Sequence, residues 1–110
     1  MKKVNILGTE YTISKKSVKE DTYLQQCDGY CDKTSKKIVV KTVDENNELD
    51  DYEVYLKKVI RHEIIHAYLY ESGLQENWQH KEWGHEETTV DWFAIQSPKI
   101  FETFKEAGCL

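Results

Sequence analysis

Apolar and polar residues alternate over short runs in the first 40 positions, then switch to a helical rhythm. Lys3 to Leu7 and Glu10 to Ser14 are short, partly alternating segments about Gly8-Thr9, and this predicts two strands joined by a tight turn. Lys15 to Asp21 is polar and irregular. Tyr23 to Tyr30 reads as a third strand, with turn signals at Asp28-Gly29 and again at Asp32 to Lys36. Ile38-Val39-Val40, β-branched throughout and bounded by lysines, is the strongest strand signal in the chain. Asp44 to Asp51 then forms an acidic connection.

From there the period is helical. Asp50 or Asp51 can cap a helix running to about Ser72, with Gly73 as its stop. Its apolar residues, from Val54 and Tyr55 through Ile64 and Ile65 to Tyr70, are too many for a narrow stripe, and only Lys57, Lys58 and Arg61 mark a solvent side. The helix is therefore expected to be covered over most of its circumference. Gln75 to Gly84 is a polar loop carrying Trp78, His80 and Trp83. A second helix is expected to start near His85 to Glu87 and run to about Gln96, to be interrupted at Pro98, and to be followed by a short helix from Lys99 to Ala107 before Gly108. Strands first and helices after predict an α+β fold: a small antiparallel sheet packed on a central helix and a following carboxylate-bearing helix.

Length and charge narrow the classes. A chain of 110 residues makes one domain, 1–110, with a single core. A formal net charge of −5 argues against a nucleic-acid or anionic-membrane binder, either of which needs a basic surface. No apolar run approaches the roughly 20 residues that span a bilayer. The start, Met1 to Gly8, has a positive flank but no apolar leader core, so a cytoplasmic protein is expected. Three cysteines are a poor disulfide framework. Cys27 and Cys31 lack a matching pair, so they read as residues on or beside a hairpin rather than as a metal site.

The chemistry lies in the central helix, at His62-Glu63-Ile64-Ile65-His66. Two histidines four apart on a helix lie about 40° and roughly 6 Å apart, so both imidazoles can reach one metal ion. The intervening Glu63 can take a proton from a water held there. These three polar groups sit on a mostly apolar rod, where they are costly to bury without partners. A third ligand must come from another element. Glu86 and Glu87 lie 20 and 21 residues past His66, which leaves room for the chain to reverse, and Glu87 is the preferred ligand. His80 and His85 are rivals for the role. Asp91, one turn beyond Glu87, is placed to orient a ligand histidine from behind. Two histidines and a carboxylate suit Zn2+.

The string His62 to His66, followed by Glu87-Thr88-Thr89-Val90-Asp91-Trp92-Phe93-Ala94, resembles the small zinc metallopeptidases of the ImmA/IrrE type, above all short members encoded by phages and prophages of Gram-positive bacteria. Their pattern is a His-Glu-x-x-His helix and then a Glu-x-x-Ala-(Asn/Asp)-x-Phe-Ala helix; here Val90 stands for the usual Ala. The resemblance covers about Arg61 to Ala94. It implies a minimal zincin-like fold, with His62, His66 and Glu87 as metal ligands and Glu63 as general base. It implies hydrolysis of a peptide bond in a protein or peptide substrate. Tyr68, Tyr70, His80 and His85 are the candidates to stabilise an oxyanion, and Ile38 to Thr42 is the candidate edge strand that would align an extended peptide. The alternatives are a zinc-binding adaptor that cuts nothing and a helical interaction module that uses no metal.

Overall fold

The computed structural model describes residues 1–42, 51–74 and 86–110. β1 (Lys2–Ile6) and β2 (Thr9–Lys16) form the expected hairpin. Its two-residue turn places Leu7 and Gly8 at φ 52° and 92°, and the Gly8 amide donates to Asn5 Oδ1 at 2.8 Å. Positive φ at both turn positions matches the twist of the flanking strands. A 3-10 turn, Thr22–Gln25, stands where the reading of Tyr23 to Tyr30 as a strand began, and only β3 (Gly29–Asp32) is extended. Asp21 caps that turn through the Tyr23 amide, a local hydrogen bond that competes with strand pairing. β4 (Lys37–Lys41) contains the Ile38-Val39-Val40 run.

The sheet order is β1-β2-β4-β3, with β2 and β4 parallel and the other two pairs antiparallel. The sheet is thus mixed rather than antiparallel: the chain leaves β2, makes β3, and returns through the β3–β4 hairpin into the slot beside β2. One correction follows directly. Ile38 to Thr42 was expected at the edge, but β4 is hydrogen-bonded on both sides, and its residues Ile38, Val39 and Val40 are buried. A doubly buried strand reads as a continuous β-branched run, which is what this segment is. The edge beside the helices is β3.

α1 (Tyr52–Glu71) lies across one face of the sheet. Asp51 caps its start, accepting from the Val54 amide, and Gly73 at φ 81° ends it. Leu56, Val59 and Ala67 pack on Ile6, Tyr11, Ile13, Ile38 and Val40. No residue from Lys58 to Ala67 is exposed, so the expectation of a covered helix holds over this stretch. Polar anchors fix its position along the sheet: Tyr52 Oη donates to Lys41 O at 2.5 Å, Tyr55 Oη donates to the Asp28 carboxylate, and Tyr11 Oη donates to Glu71 Oε2 at 2.7 Å. Gly29 lets α1 approach β3, because a Cβ there would lie 3.0 Å from Val59 Cγ1 and 3.1 Å from Val39 O. No helix among the described residues is long and apolar enough to cross a membrane.

α2 (Glu87–Glu106) is one helix, not two, with Pro98 inside it. Proline at 98 has no amide to give to the carbonyl of Ala94, one turn back. That carbonyl instead accepts from Arg61 Nε at 2.6 Å. The interruption expected at Pro98 is therefore filled from α1, and the helix continues. Lys58 likewise reaches α2, donating to Asp91 Oδ1 at 3.0 Å. Of the three residues read as a solvent side, only Lys57 is exposed. The Val90-Ala94-Ser97 stripe of α2 is buried, and α2 packs chiefly on α1.

Two outcomes test these contacts. Arg61→Met keeps the aliphatic stem but orphans the Ala94 carbonyl, and it should cost about 1–3 kcal/mol in urea unfolding. In a Pro98→Ala background, where the helix regains its own amide, the same change should cost clearly less; equal costs in both backgrounds would show that the two residues are not coupled. The second concerns Glu71, whose carboxyl is held at about 2 by hydrogen bonds from Lys36, at 2.8 Å, and from Tyr11. Its folded value lies below its ordinary 4.5, so its contribution is complete above that pH and is lost as pH falls toward 2. Glu71→Gln should flatten this acid limb of the stability curve.

Candidate metal centre

α1 carries His62, Glu63 and His66 toward a cleft of about 470 Å³ that lies between its polar patch, the first turn of α2 and β3. The histidines sit one turn apart on the same helix face, with ring centroids 4.9 Å apart and Nε2 atoms 3.2 Å apart. Glu87 opens α2 and meets both: its Oε1 is 2.9 Å from His66 Nε2, and its Oε2 is 3.1 Å from His62 Nε2. Among the described residues these three form the group that can hold a metal ion.

The neighbouring carboxylate does something else. Glu86 is the N-cap of α2, and its side chain accepts from the Thr88 amide at 3.0 Å and from the Thr89 amide at 2.7 Å. Both its oxygens are turned to its own helix, where the Thr89 hydroxyl, donating at 2.8 Å, and then these amides hold the carboxyl below its ordinary value. One residue thus starts the helix and the next faces the histidines. His80 and His85, the rival ligands, lie outside the described residues, as do Trp78 and Trp83.

Asp91 stands behind His62. Its Oδ1 is 3.1 Å from His62 Nδ1 and also accepts from Lys58. Burial opposes ionisation of Asp91, but the hydrogen bonds from Lys58 and His62 outweigh it and hold the carboxyl below the usual value. An ionised carboxylate only accepts, so the proton between them is on His62 Nδ1, and Nε2 is the ring atom left to hold a metal ion. This carboxylate–histidine arrangement fixes both the ring and the tautomer of a metal ligand. The Nε2 atoms of His62 and His66 and the carboxylate of Glu87 then converge on one point, as the donors of a single metal ion would. Donors about 2.1 Å from a tetrahedral metal would stand about 3.4 Å apart. The observed separations of 2.9, 3.1 and 3.2 Å are slightly tighter, and small side-chain movements would admit an ion.

Glu63 faces the same cleft and is only 7% exposed. Burial, reinforced by the charge of Glu87 and opposed by His62, pushes its carboxyl up to about 7. Among the described residues nothing hydrogen-bonds to it. Of the oxyanion candidates, Tyr70 lines the cleft, whereas Tyr68 is 43% exposed and does not.

The opposite wall of the cleft is Gly29, Tyr30 and Cys31 of β3, and sequence reasoning did not place it there. The pairing of Lys58 and Arg61 with α2 was missed too, although Lys58/Arg61 and Asp91/Ala94 share the same i, i+3 spacing that marks two facing helix surfaces. Cys27, Cys31 and Cys109 are free, and burial pushes the Cys31 thiol up to about 12, so it stays protonated.

Cobalt(II) and zinc titrations check the centre. The wild type should bind one ion and melt at a higher temperature with it, and His66→Ala should bind none. Asp91→Asn should bind about 10–100-fold more weakly, read by competition with a chromophoric chelator. Glu87→Gln should weaken binding, whereas Glu86→Gln should leave it unchanged while loosening the start of α2. Equal losses from the two glutamates would refute the assignment of Glu87.

Compared with known proteins, the chain matches no family model, no curated protein and no solved structure.

Proposed function

We propose that the protein is a zinc-dependent metallopeptidase, a minimal zincin-like domain of the kind its His-Glu-x-x-His and Glu87-to-Ala94 segments resemble. One observation carries the reading. A carboxylate without a hydrogen bond among the described residues, that of Glu63, is buried at the open cleft beside three converging metal donors. Burying such a group costs free energy. A site that held metal only for stability would gain nothing from it, whereas a hydrolytic site needs a base there.

His62, His66 and Glu87 would hold a zinc ion, whose chemistry there would be that of a Lewis acid for a carbonyl and a water molecule. Asp91 and Lys58 keep His62 in the tautomer that offers Nε2. Glu63 accepts the proton of the attacking water and delivers it to the leaving amine. Burial keeps its carboxylate free of competing hydrogen bonds. Tyr70, which lines the cleft, is the residue proposed to donate a hydrogen bond at the oxyanion. The substrate is an extended segment of a protein or peptide laid along the edge of β3. The outer side of that strand pairs with nothing among the described residues, and its Gly29, Tyr30 and Cys31 line the cleft. The adaptor reading keeps the same metal ligands but gives Glu63 no task.

Glu63→Gln is the test. The variant should bind zinc as the wild type does and lose peptide hydrolysis by at least about a hundredfold, the scale of a general base. Hydrolysis undiminished in that variant would exclude Glu63 as the base. If zinc raises the melting temperature and the wild type cleaves no member of a diverse peptide library, the adaptor reading is the correct one.

A further inference from the structure

A second groove, also about 470 Å³, adjoins the first along the β3 edge; Tyr23, Tyr30, Cys31 and Tyr70 border both, and Asp32, Lys33 and Lys37 complete it. Its position follows from the end of β3 and the turn after it. Gly29 and Cys31 face α1, and at the far end of β3 the register pairs Asp32 with Lys37 beside the turn that carries Lys33. A strand added to the edge of β3 would continue the sheet. Running along the edge, it would pass from the metal cleft to this groove, so that one of its side chains meets the two lysines.

The charges in the groove are unevenly engaged. Lys36, Lys41 and Lys58, the other lysines near the two clefts, each have a carboxylate partner at 2.8 to 3.3 Å. Among the described residues Lys33 and Lys37 have none within contact distance. Lys33 instead lies over the Tyr70 ring, 5.3 Å from its centroid. The two acids on this side are already used. Asp32 Oδ1 accepts from the Thr34 amide at 2.9 Å and from Thr34 Oγ1 at 2.6 Å. Asp21 accepts from the Tyr30 hydroxyl and the Tyr23 amide, while Lys16 and Lys37 act on it only through space. Two ammonium groups with unused donors therefore border a groove walled by tyrosine rings.

We infer that this groove selects an acidic side chain in the bound peptide. The substrates are then extended segments in which Asp or Glu lies next to the scissile bond, its aliphatic part against Tyr23 and Tyr30 and its carboxylate at Lys33 and Lys37. The inference rests on the peptidase reading for its scissile bond and on β3 for its alignment. A chain of net charge −5 repels acidic peptides on average, so such a preference would have a local origin.

Fluorescein-labelled ten-residue peptides that differ only by Glu or Gln, with the substitution scanned along the peptide, test this on the zinc-loaded Glu63→Gln protein by anisotropy. At one position Glu should bind about fivefold more tightly than Gln, the scale of two exposed ion pairs. Lys33→Gln with Lys37→Gln should bring that ratio to about one. The single variant Lys33→Gln, at an exposed turn position, should reduce the ratio in part without perturbing the fold. A Glu-to-Gln ratio that is the same with and without the lysines, or no discrimination at any position, would overturn the inference. If the ratio behaves as expected but the wild type cuts none of these peptides, the groove assignment stands and the peptidase reading falls.

Discussion

The hydrogen bond from Arg61 Nε to Ala94 O holds the centre in place. α1 is fastened to the sheet by a core and by tyrosine hydroxyls at both ends, but α2 rests chiefly on α1. Glu87 and Asp91 both belong to α2, so the geometry at the histidines depends on how that one helix is seated. Pro98 frees a carbonyl that its own helix cannot satisfy, and a buried carbonyl without a partner is unfavourable. Arg61 satisfies it, next in sequence to His62, and Lys58 adds an ion pair to Asp91 one turn earlier. The residue that would weaken α2 by itself thus sets its register against α1.

This explains which parts of the site were legible in the sequence. The histidine pair was, because a fixed helical spacing is a local property. Glu87 was legible as one of two adjacent carboxylates. The choice between them depended on where α2 begins, which capping decides: Glu86 closes on its own amides and the next side chain is free to turn inward. The break expected at Pro98 was wrong because its remedy comes from another element, and one-helix periodicity carries no information about a partner's arginine. Lys58 and Arg61 failed as solvent markers for the same reason, since long cationic side chains can run along a helix surface to a partner.

The sheet shows the same division between local and non-local. The β1–β2 hairpin follows from a two-residue turn with a glycine, and the β-branched run became a strand as read. Its neighbours could not be read. Placing β4 in the interior and β3 at the edge is a matter of topology, fixed only when the β3–β4 hairpin folds back beside β2. The functional consequence is large, because the strand that borders the clefts is the short, weakly patterned Gly29–Asp32 and not the segment with the strongest β signal. Gly29 belongs to the same logic: a residue poor in strand propensity is present because Val59 of α1 approaches too closely for a Cβ.

The centre also joins elements that the core does not. Its donors come from α1 and α2, and a bound ion would link the less anchored helix to the better anchored one. An ion present at a hundred times its dissociation constant would stabilise the folded state by about 2.7 kcal/mol, a large share of the stability of a small domain. Metal-induced stabilisation is therefore expected whether the site is catalytic or structural, and it does not separate the two. Glu63 does. It lies on the well-anchored helix, it ties no elements together, and its burial works against folding. The proposed hydrolysis at the open side of the cleft would give that arrangement a purpose.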